Sequence, residues 1–328
     1  MTVLVLREAE IRRLIGPAEA LAAVGEAFAK LGRGEAILPG VINLDVPAQR
    51  GEVHVKGAYL TGVPHFAIKV ASGFYGNPER GLPMSGGLML AFDATTGLLA
   101  AVLFDNAFLT ELRTGSAGAL AAELLARRTI RRVGIVGAGS QARFQLESLL
   151  LVRRPEEVAV WGRTAPRAEA CARELRGRFG VAARAVSSPR EAVLGSDLVV
   201  TVTPSREPLV EADWVGPGTH ITALGSDGPD KVELQPALLG KAGKVVADSL
   251  AQCLRLGEIH HAVANGFLTP ESIHAELGDI ACGRKPGRTS EDEITIADLT
   301  GLGVQDTAVA SLVVAEARRR GLGQALEL

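Results

Sequence analysis

Two rhythms of hydrophobic and polar residues follow one another along the chain. After a strand-like "TVLVL", residues 8 to 32 carry apolar positions at helical spacing, interrupted at Gly16 and Pro17. Proline is tolerated in a first helical turn because the N–H it lacks would have no partner there, so the break predicts two helices. From about 40 to 105 the rhythm shortens to runs rich in Val, Ile and Leu, broken by Gly, Pro and Asn: "VINLDV", "EVHVKGAYL", "HFAIKVASGF", "GLMLAFD" and "LLAAVLFD". The "DATTG" between the last two predicts a hairpin, and this half as a whole a mostly antiparallel sheet.

A long alanine-rich helix is expected over about 107 to 127, and from 131 strand and helix alternate through "RRVGIVGAG", "EEVAVWGRT", "SDLVVTVTPS", "GTHITALGS" and "GKVVADS". Alternation of this kind is the sequence form of a parallel sheet with crossover helices. A final helix over about 304 to 320 has the spacing to pack back on the first domain. The fold class is therefore α/β: a doubly wound parallel sheet over 121–304, and an α+β domain built from 1–120 with 305–328.

Composition narrows the partners. A length of 328 residues suits two domains, and a net charge of -2 gives no electrostatic basis for binding nucleic acid or an anionic membrane. No run approaches the 18 or so apolar residues of a membrane span, which makes a cytoplasmic protein the expectation. Three widely spaced cysteines (Cys171, Cys253, Cys282) fit neither a disulfide framework nor a zinc site, and the six histidines show no metal spacing. No metal is expected.

The strongest motif is "VGIVGAGSQA", in which Gly137, Gly139 and Ala142 stand in G-x-G-x-x-A spacing between a strand and a helix, with Ala138, Ser140 and Gln141 among them. The first glycine permits a tight turn, the second lets backbone approach a pyrophosphate, and the helix N-terminus supplies amide donors. At the end of the next strand, where a carboxylate would bind the ribose of NAD, the chain offers Gly162, Arg163 and Thr164. A guanidinium there suits a 2'-phosphate, so NADP(H) is favoured, with NAD(H) as the alternative.

Polar residues in apolar places supply the candidate chemistry. Lys56 and Lys69 lie in neighbouring strand-like runs and Arg113 on the long helix; a cleft between domains would gather them to hold a carboxylate. Against this, the lysines could snorkel from a sheet face and Arg113 could pair with Glu111 or Glu123. His54 shares a strand face with Lys56. Asp227 should emerge at the C-terminal edge of the parallel sheet, able to exchange a proton or to cap a turn, and Lys231 could pair with it or reach the cofactor.

In their order and spacing these segments, with "GLMLAFDATTGLLAAVLFDNAFLTELRTGSAGA", "VTVTPSREPL", "GSDGPDKVEL", "IHAELGDIACGRKPGR" and "GLGVQDTAVA", make the chain resemble the ornithine cyclodeaminase and mu-crystallin family, which includes alanine dehydrogenases and imine reductases. The resemblance implies a Rossmann-type domain and a homodimer formed through the N-terminal domain. It assigns Lys69 and Arg113 to the substrate, Asp227 to acid–base work, Lys231, Ser140, Gln141 and Thr203 to the cofactor, and Thr300 to the neighbourhood of the nicotinamide. Two departures bear on the reaction. Val41 stands where many members carry a basic residue, and His54 where ornithine cyclodeaminase has a glutamate. A distal ammonium would meet Lys56 and His54, an unfavourable like-charge contact. The expected activity is therefore NAD(P)H-dependent reduction of a small imino or oxo acid, including acidic ones such as iminosuccinate. Ornithine cyclodeaminase is the alternative, and a non-catalytic, crystallin-like nucleotide-binding protein the third reading.

Overall fold

Alternation along the strands decides the first unit. The structure, a computed structural model, describes residues 2–327. Its chain divides into Met1–Arg113 with Leu302–Leu328, and Thr114–Gly301. In the first unit β1 (Thr2–Arg7), β2 (Ala36–Ile37), β3 (Ile42–Val46), β4 (Gly51–Leu60), β5 (His65–Phe74), β6 (Ser85–Asp93) and β7 (Leu99–Phe104) join a last strand, Gln324–Glu327, in one mixed sheet. The order is Gln324–Glu327, β1, β7, β6, β5, β4, β2, with β3 also paired to β4; β1 runs parallel to β7 and the other pairings are antiparallel. Asp93 accepts hydrogen bonds from the amides of Thr95 and Thr96 and from the Thr96 hydroxyl, which fixes the β6–β7 hairpin.

The Pro17–Gly32 and Gly303–Arg320 helices pack on each other, and the latter also on β4 and β5. Phe28, Val24, Val309 and Val313 on these helices, and Leu60, Ala67 and Met89 on the strands, are all buried. The seat of the Gly303–Arg320 helix is specific. A Cβ on Gly303 would run into the Gly57 carbonyl, so only glycine lets the helix start this close to β4. About one turn further on, the Thr307 hydroxyl donates to Ala58 O at 2.8 Å and accepts from Ala67 N at 3.1 Å, bridging β4 and β5.

The second unit is a parallel sheet buried on both faces, and its strands accordingly read as continuous apolar runs. β8 (Arg132–Val136), β9 (Glu157–Trp161), β10 (Ala182–Ala185), β11 (Leu198–Thr201), β12 (His220–Ala223), β13 (Lys244–Ala247), β14 (Ala275–Glu276) and β15 (Thr295–Asp298) lie in the order β10-β9-β8-β11-β12-β15-β13-β14. One face packs Val133, Ile135, Val158 and Leu198 against Ala142, Leu146 and Leu175; the other packs Val136, Val199, Ile221 and Ile296 against Leu238 and Ile259. This is the doubly wound sheet expected from the alternation. The sequence reading did not foresee β10, β14 or β15, and β15 enters between β12 and β13. Among the described residues no helix is long and apolar enough to cross a membrane.

Candidate functional site

Each unit holds its own part of the candidate chemistry. In the first, β4 and β5 place Lys56 directly opposite Lys69, and both are buried. The Lys69 ammonium lies 3.5 Å from Asp306 Oδ2, while Arg113 Nε donates to Asp306 Oδ1 at 3.0 Å and Arg113 Nη1 to Gln305 Oε1 at 2.7 Å. Asp306 is fully buried, at 0% exposure, so one carboxylate without solvent serves two cations. This partner of Arg113 lies 193 residues further along the chain.

Asp105 adds a second buried carboxyl. Its Oδ2 accepts from Leu109 N at 2.9 Å, fixing the start of the Phe108–Leu125 helix, and its Oδ1 has no hydrogen-bond partner. Asn106 and Ala107 follow it with φ of 50° and 68°, a left-handed pair without glycine. Non-glycine residues enter this region at a cost, and the Asn106 amide fastened to Glu8 Oε2 at 3.0 Å helps to hold it. Burial lowers the Lys69 pKa to about 7, with Arg113 and Lys56 acting in the same direction and Asp306 opposing them. Burial likewise raises the Asp105 carboxyl to about 6.

His54 stands two residues before Lys56, its Nδ1 2.8 Å from Asn43 Oδ1 and its Nε2 3.7 Å from Glu52 Oε1. Glu52 lies two residues before His54 on the same strand. It places an anion beside the histidine and so tempers the purely cationic character expected of that stretch.

In the second unit, Gly137 ends β8 with φ of 125°, and a Cβ there would lie 2.8 Å from Val202 O. The ends of β8 and β11 thus meet where strand order reverses, the place at which open α/β sheets bind ligands. Gly139 precedes the Ser140–Leu149 helix, and a Cβ on it would meet nothing within 4 Å. Ala142 is fully buried under the helix, and a Cβ on Gly162 would fall 2.7 Å from that of Ala138. An open glycine backbone facing a helix N-terminus fits a dinucleotide pyrophosphate, which Gly137, Ala138, Gly139, Ser140 and Gln141 would hold. Arg163 and Thr164 are exposed at the end of β9.

Thr203 follows β11, and both its amide and hydroxyl donate to Glu233 Oε1, at 2.6 and 2.7 Å. Gly225 N, after β12, donates to Glu233 Oε2 at 2.9 Å. Glu233 is buried and its carboxyl raised to about 7 by burial. Behind it, Glu258 accepts from the amides of Glu233 and Leu234, and Asp298 from that of Ile259. Burial raises Glu258 well above the ordinary range and Asp298 to about 7. Asp227 emerges after β12, where it accepts from Lys231 Nζ at 2.7 Å. Thr300 is buried, donating to Asp248 Oδ1 at 3.0 Å and accepting from Gln252 Nε2 at 2.8 Å. Among the described residues no group of three or more His, Cys, Asp or Glu could hold a metal ion.

Sequence reasoning passed over Asp306, Gln305, Asp105 and Glu233. Asp306 lay within "GLGVQDTAVA", a quoted segment, as an acidic residue near the start of an otherwise apolar helix, and that was the available signal.

The sequence profile described as the ornithine cyclodeaminase/mu-crystallin family matches residues 1–321. An alanine dehydrogenase of Archaeoglobus fulgidus is 39% identical over 327 residues, covering 100% of this chain and 99% of that one. A solved Delta(1)-pyrroline-2-carboxylate reductase of Thermococcus litoralis, in complex with NADH and L-proline, is 33% identical with a TM-score of 0.95, covering 99% of this chain and 100% of that one. The iminosuccinate reductase of Paracoccus denitrificans, solved with NAD+, is 32% identical with a TM-score of 0.91, and both chains are covered fully, at 100%.

Proposed function

Because the chain belongs to the ornithine cyclodeaminase/mu-crystallin family, we propose that it reduces a small imino or oxo acid to the corresponding amino acid with a reduced nicotinamide dinucleotide. It is an enzyme of the family's NAD-dependent dehydrogenase, reductase or cyclodeaminase kind. The observation that carries the finer reading is the sharing of the one buried Asp306 carboxylate by Lys69 and Arg113. Two cations gathered on one buried carboxylate suit an anionic ligand, and an α-carboxylate matches a guanidinium fork.

In this reading Arg113 and Lys69 orient the substrate through its carboxylate. When bound, the reduced nicotinamide supplies hydride to the C=N or C=O carbon. Lys69 supplies the proton, since a pKa near 7 makes it a donor at neutral pH. Asp227, ion-paired to Lys231, is the second acid–base group, acting through bound water. Gly137, Gly139 and the Ser140–Leu149 helix hold the pyrophosphate. The relatives carry NAD+ or NADH, so nothing in them favours the NADP(H) to which Arg163 pointed, and both forms belong in the assay. A homodimer is part of the proposal, since a related alanine dehydrogenase is a dimer; light scattering tests it.

The direct test is cofactor oxidation by purified protein with NADH or NADPH and a panel of imino and oxo acids. Pyruvate with ammonia, pyrroline-2-carboxylate and iminosuccinate are its arms. Glu52 beside His54 sets an anion in that stretch, so the acidic member of the panel has no priority over the others. Absence of oxidation with every member sinks the reading. A cyclodeaminase is the second reading, drawn from Asp227 held by Lys231; it requires proline from ornithine with added NAD, detected by mass spectrometry.

A further inference from the structure

Three consecutive residues of the Gly303–Arg320 helix make three different contacts. Gln305 accepts from Arg113 Nη1, Asp306 meets Arg113 Nε and Lys69 Nζ, and Thr307 bridges the backbones of β4 and β5. The close approach of Gly303 to Gly57 fixes the helix at that depth. The backbone that carries Asp306 is thereby seated at a fixed depth, and the two oxygens of its carboxylate face two different cations.

We propose that Asp306 is a positioning residue that couples the two substrate groups: its Oδ1 sets the plane of the Arg113 guanidinium, and its Oδ2 holds the Lys69 ammonium. This rests on the reading of Lys69 and Arg113 as substrate residues given above. No assigned role reaches Asp306, and it touches neither substrate nor cofactor in that scheme. Its effect runs through the two side chains it holds.

The charges around Lys69 fix the sign of the effect. Arg113, on the Phe108–Leu125 helix, and Lys56, on β4, disfavour its proton; Asp306 favours it. Asp105, after β7, also interacts electrostatically with Lys69. From β6 the residue opposite Lys69 is Met89, which carries no charge. With Asp306 neutral, the two cations and burial would act on Lys69 with only Asp105 left to oppose them.

Asp306→Asn removes the anion and keeps the shape. Turnover that needs protonated Lys69 falls as pH rises through about 7 in the wild type; in Asp306→Asn that midpoint should drop by about one pH unit or more. The loosened guanidinium should raise the substrate KM roughly tenfold. Gln305→Ala releases only Arg113, so it should raise KM and leave the midpoint in place, a separation that a merely structural role would not produce. Titration of the Lys69 Nζ resonance in lysine-labelled protein, assigned with Lys69→Met, reads the midpoint without any substrate. If the wild type reduces none of the panel, the functional reading fails, and this titration alone decides the inference. Should circular dichroism show Asp306→Asn unfolded, Asp306→Glu, which moves the carboxylate by a methylene, must also displace the midpoint. An unmoved Lys69 midpoint in the folded variant overturns the proposal.

Discussion

In the first unit Lys69 and Arg113 share the side chain of Asp306, whereas in the second Glu233, Glu258 and Asp298 are met by backbone amides. Both groups are buried, and both involve displaced proton affinities. They differ in what satisfies them. A carboxylate that accepts amide hydrogens from loops after two or three strands ties those loops together and needs no further ligand. Cations that divide one carboxylate between them are the arrangement that the proposed function reads as a seat for an anionic substrate. The anionic cluster is satisfied within the scaffold of its unit, and the cationic one is the cluster to which the proposed function assigns the chemistry.

The largest expected effect separates these roles most sharply. Lys69→Met should cut kcat by about 10²–10⁴-fold, the contribution of a positioned proton donor. The melting temperature should fall little, because Asp306 keeps Arg113 as its partner when Lys69 is replaced by an apolar chain of similar length. A melting temperature that collapses with activity would place Lys69 in the scaffold instead. Glu258→Gln should do the reverse, costing about 1–3 kcal/mol of stability because an amide would face the Glu233 or Leu234 N–H. Activity per folded molecule should survive; its loss would erase the distinction between the clusters.

Gly139→Ala probes the dinucleotide loop with a smaller step. Its φ of -81° suits alanine and its Cβ would meet open space, so folding should be nearly unaffected. Dissociation of NADH measured by fluorescence should weaken about tenfold, the order expected for intrusion on a backbone–phosphate contact. Unchanged binding would remove the loop from the site.

The smallest effect is in stability against pH, and the two units should respond in different windows. Glu233 and Asp298 are raised in the folded state to about 7, so their contribution is full below the ordinary carboxyl range and lost as pH rises through about 7. Lys69 is lowered from 10.5 to about 7, so stability is lost as pH falls across that interval. Hydrogen exchange corrected for intrinsic rates should show β11 and β12 better protected at pH 5.5 than at 7.5, and β5 better protected at pH 9 than at 7.5. Parallel responses in both units would contradict the opposed proton affinities.

Local signals carried much of the fold. The strand–glycine–helix order around Gly137 and the Val- and Ile-rich runs of the first half could be read because neighbours in sequence decide them. Lys69 stood out because a lysine in an apolar strand is locally anomalous. What could not be read is what distant segments supply. Asp306 meets Lys69 and Arg113 across long sequence separations, and no local spacing announces it. β15 is four buried residues whose place between β12 and β13 depends on pairing rather than on its own pattern. Glu233 resembled any acidic loop residue until the loops after β11 and β12 converged on its two oxygens.

The first unit takes its last helix from the far end of the chain, after the entire second unit. During synthesis from the N-terminus, Lys69 and Arg113 are therefore made long before Asp306 exists to receive them. The sheet that carries Lys69 must wait for residues 302–327 before its charged face is covered, and a nascent chain stalled between the two would display that face to chaperones. Lys69 meets its carboxylate partner only when that helix docks, so the setting of this buried lysine is among the last features of the unit to form.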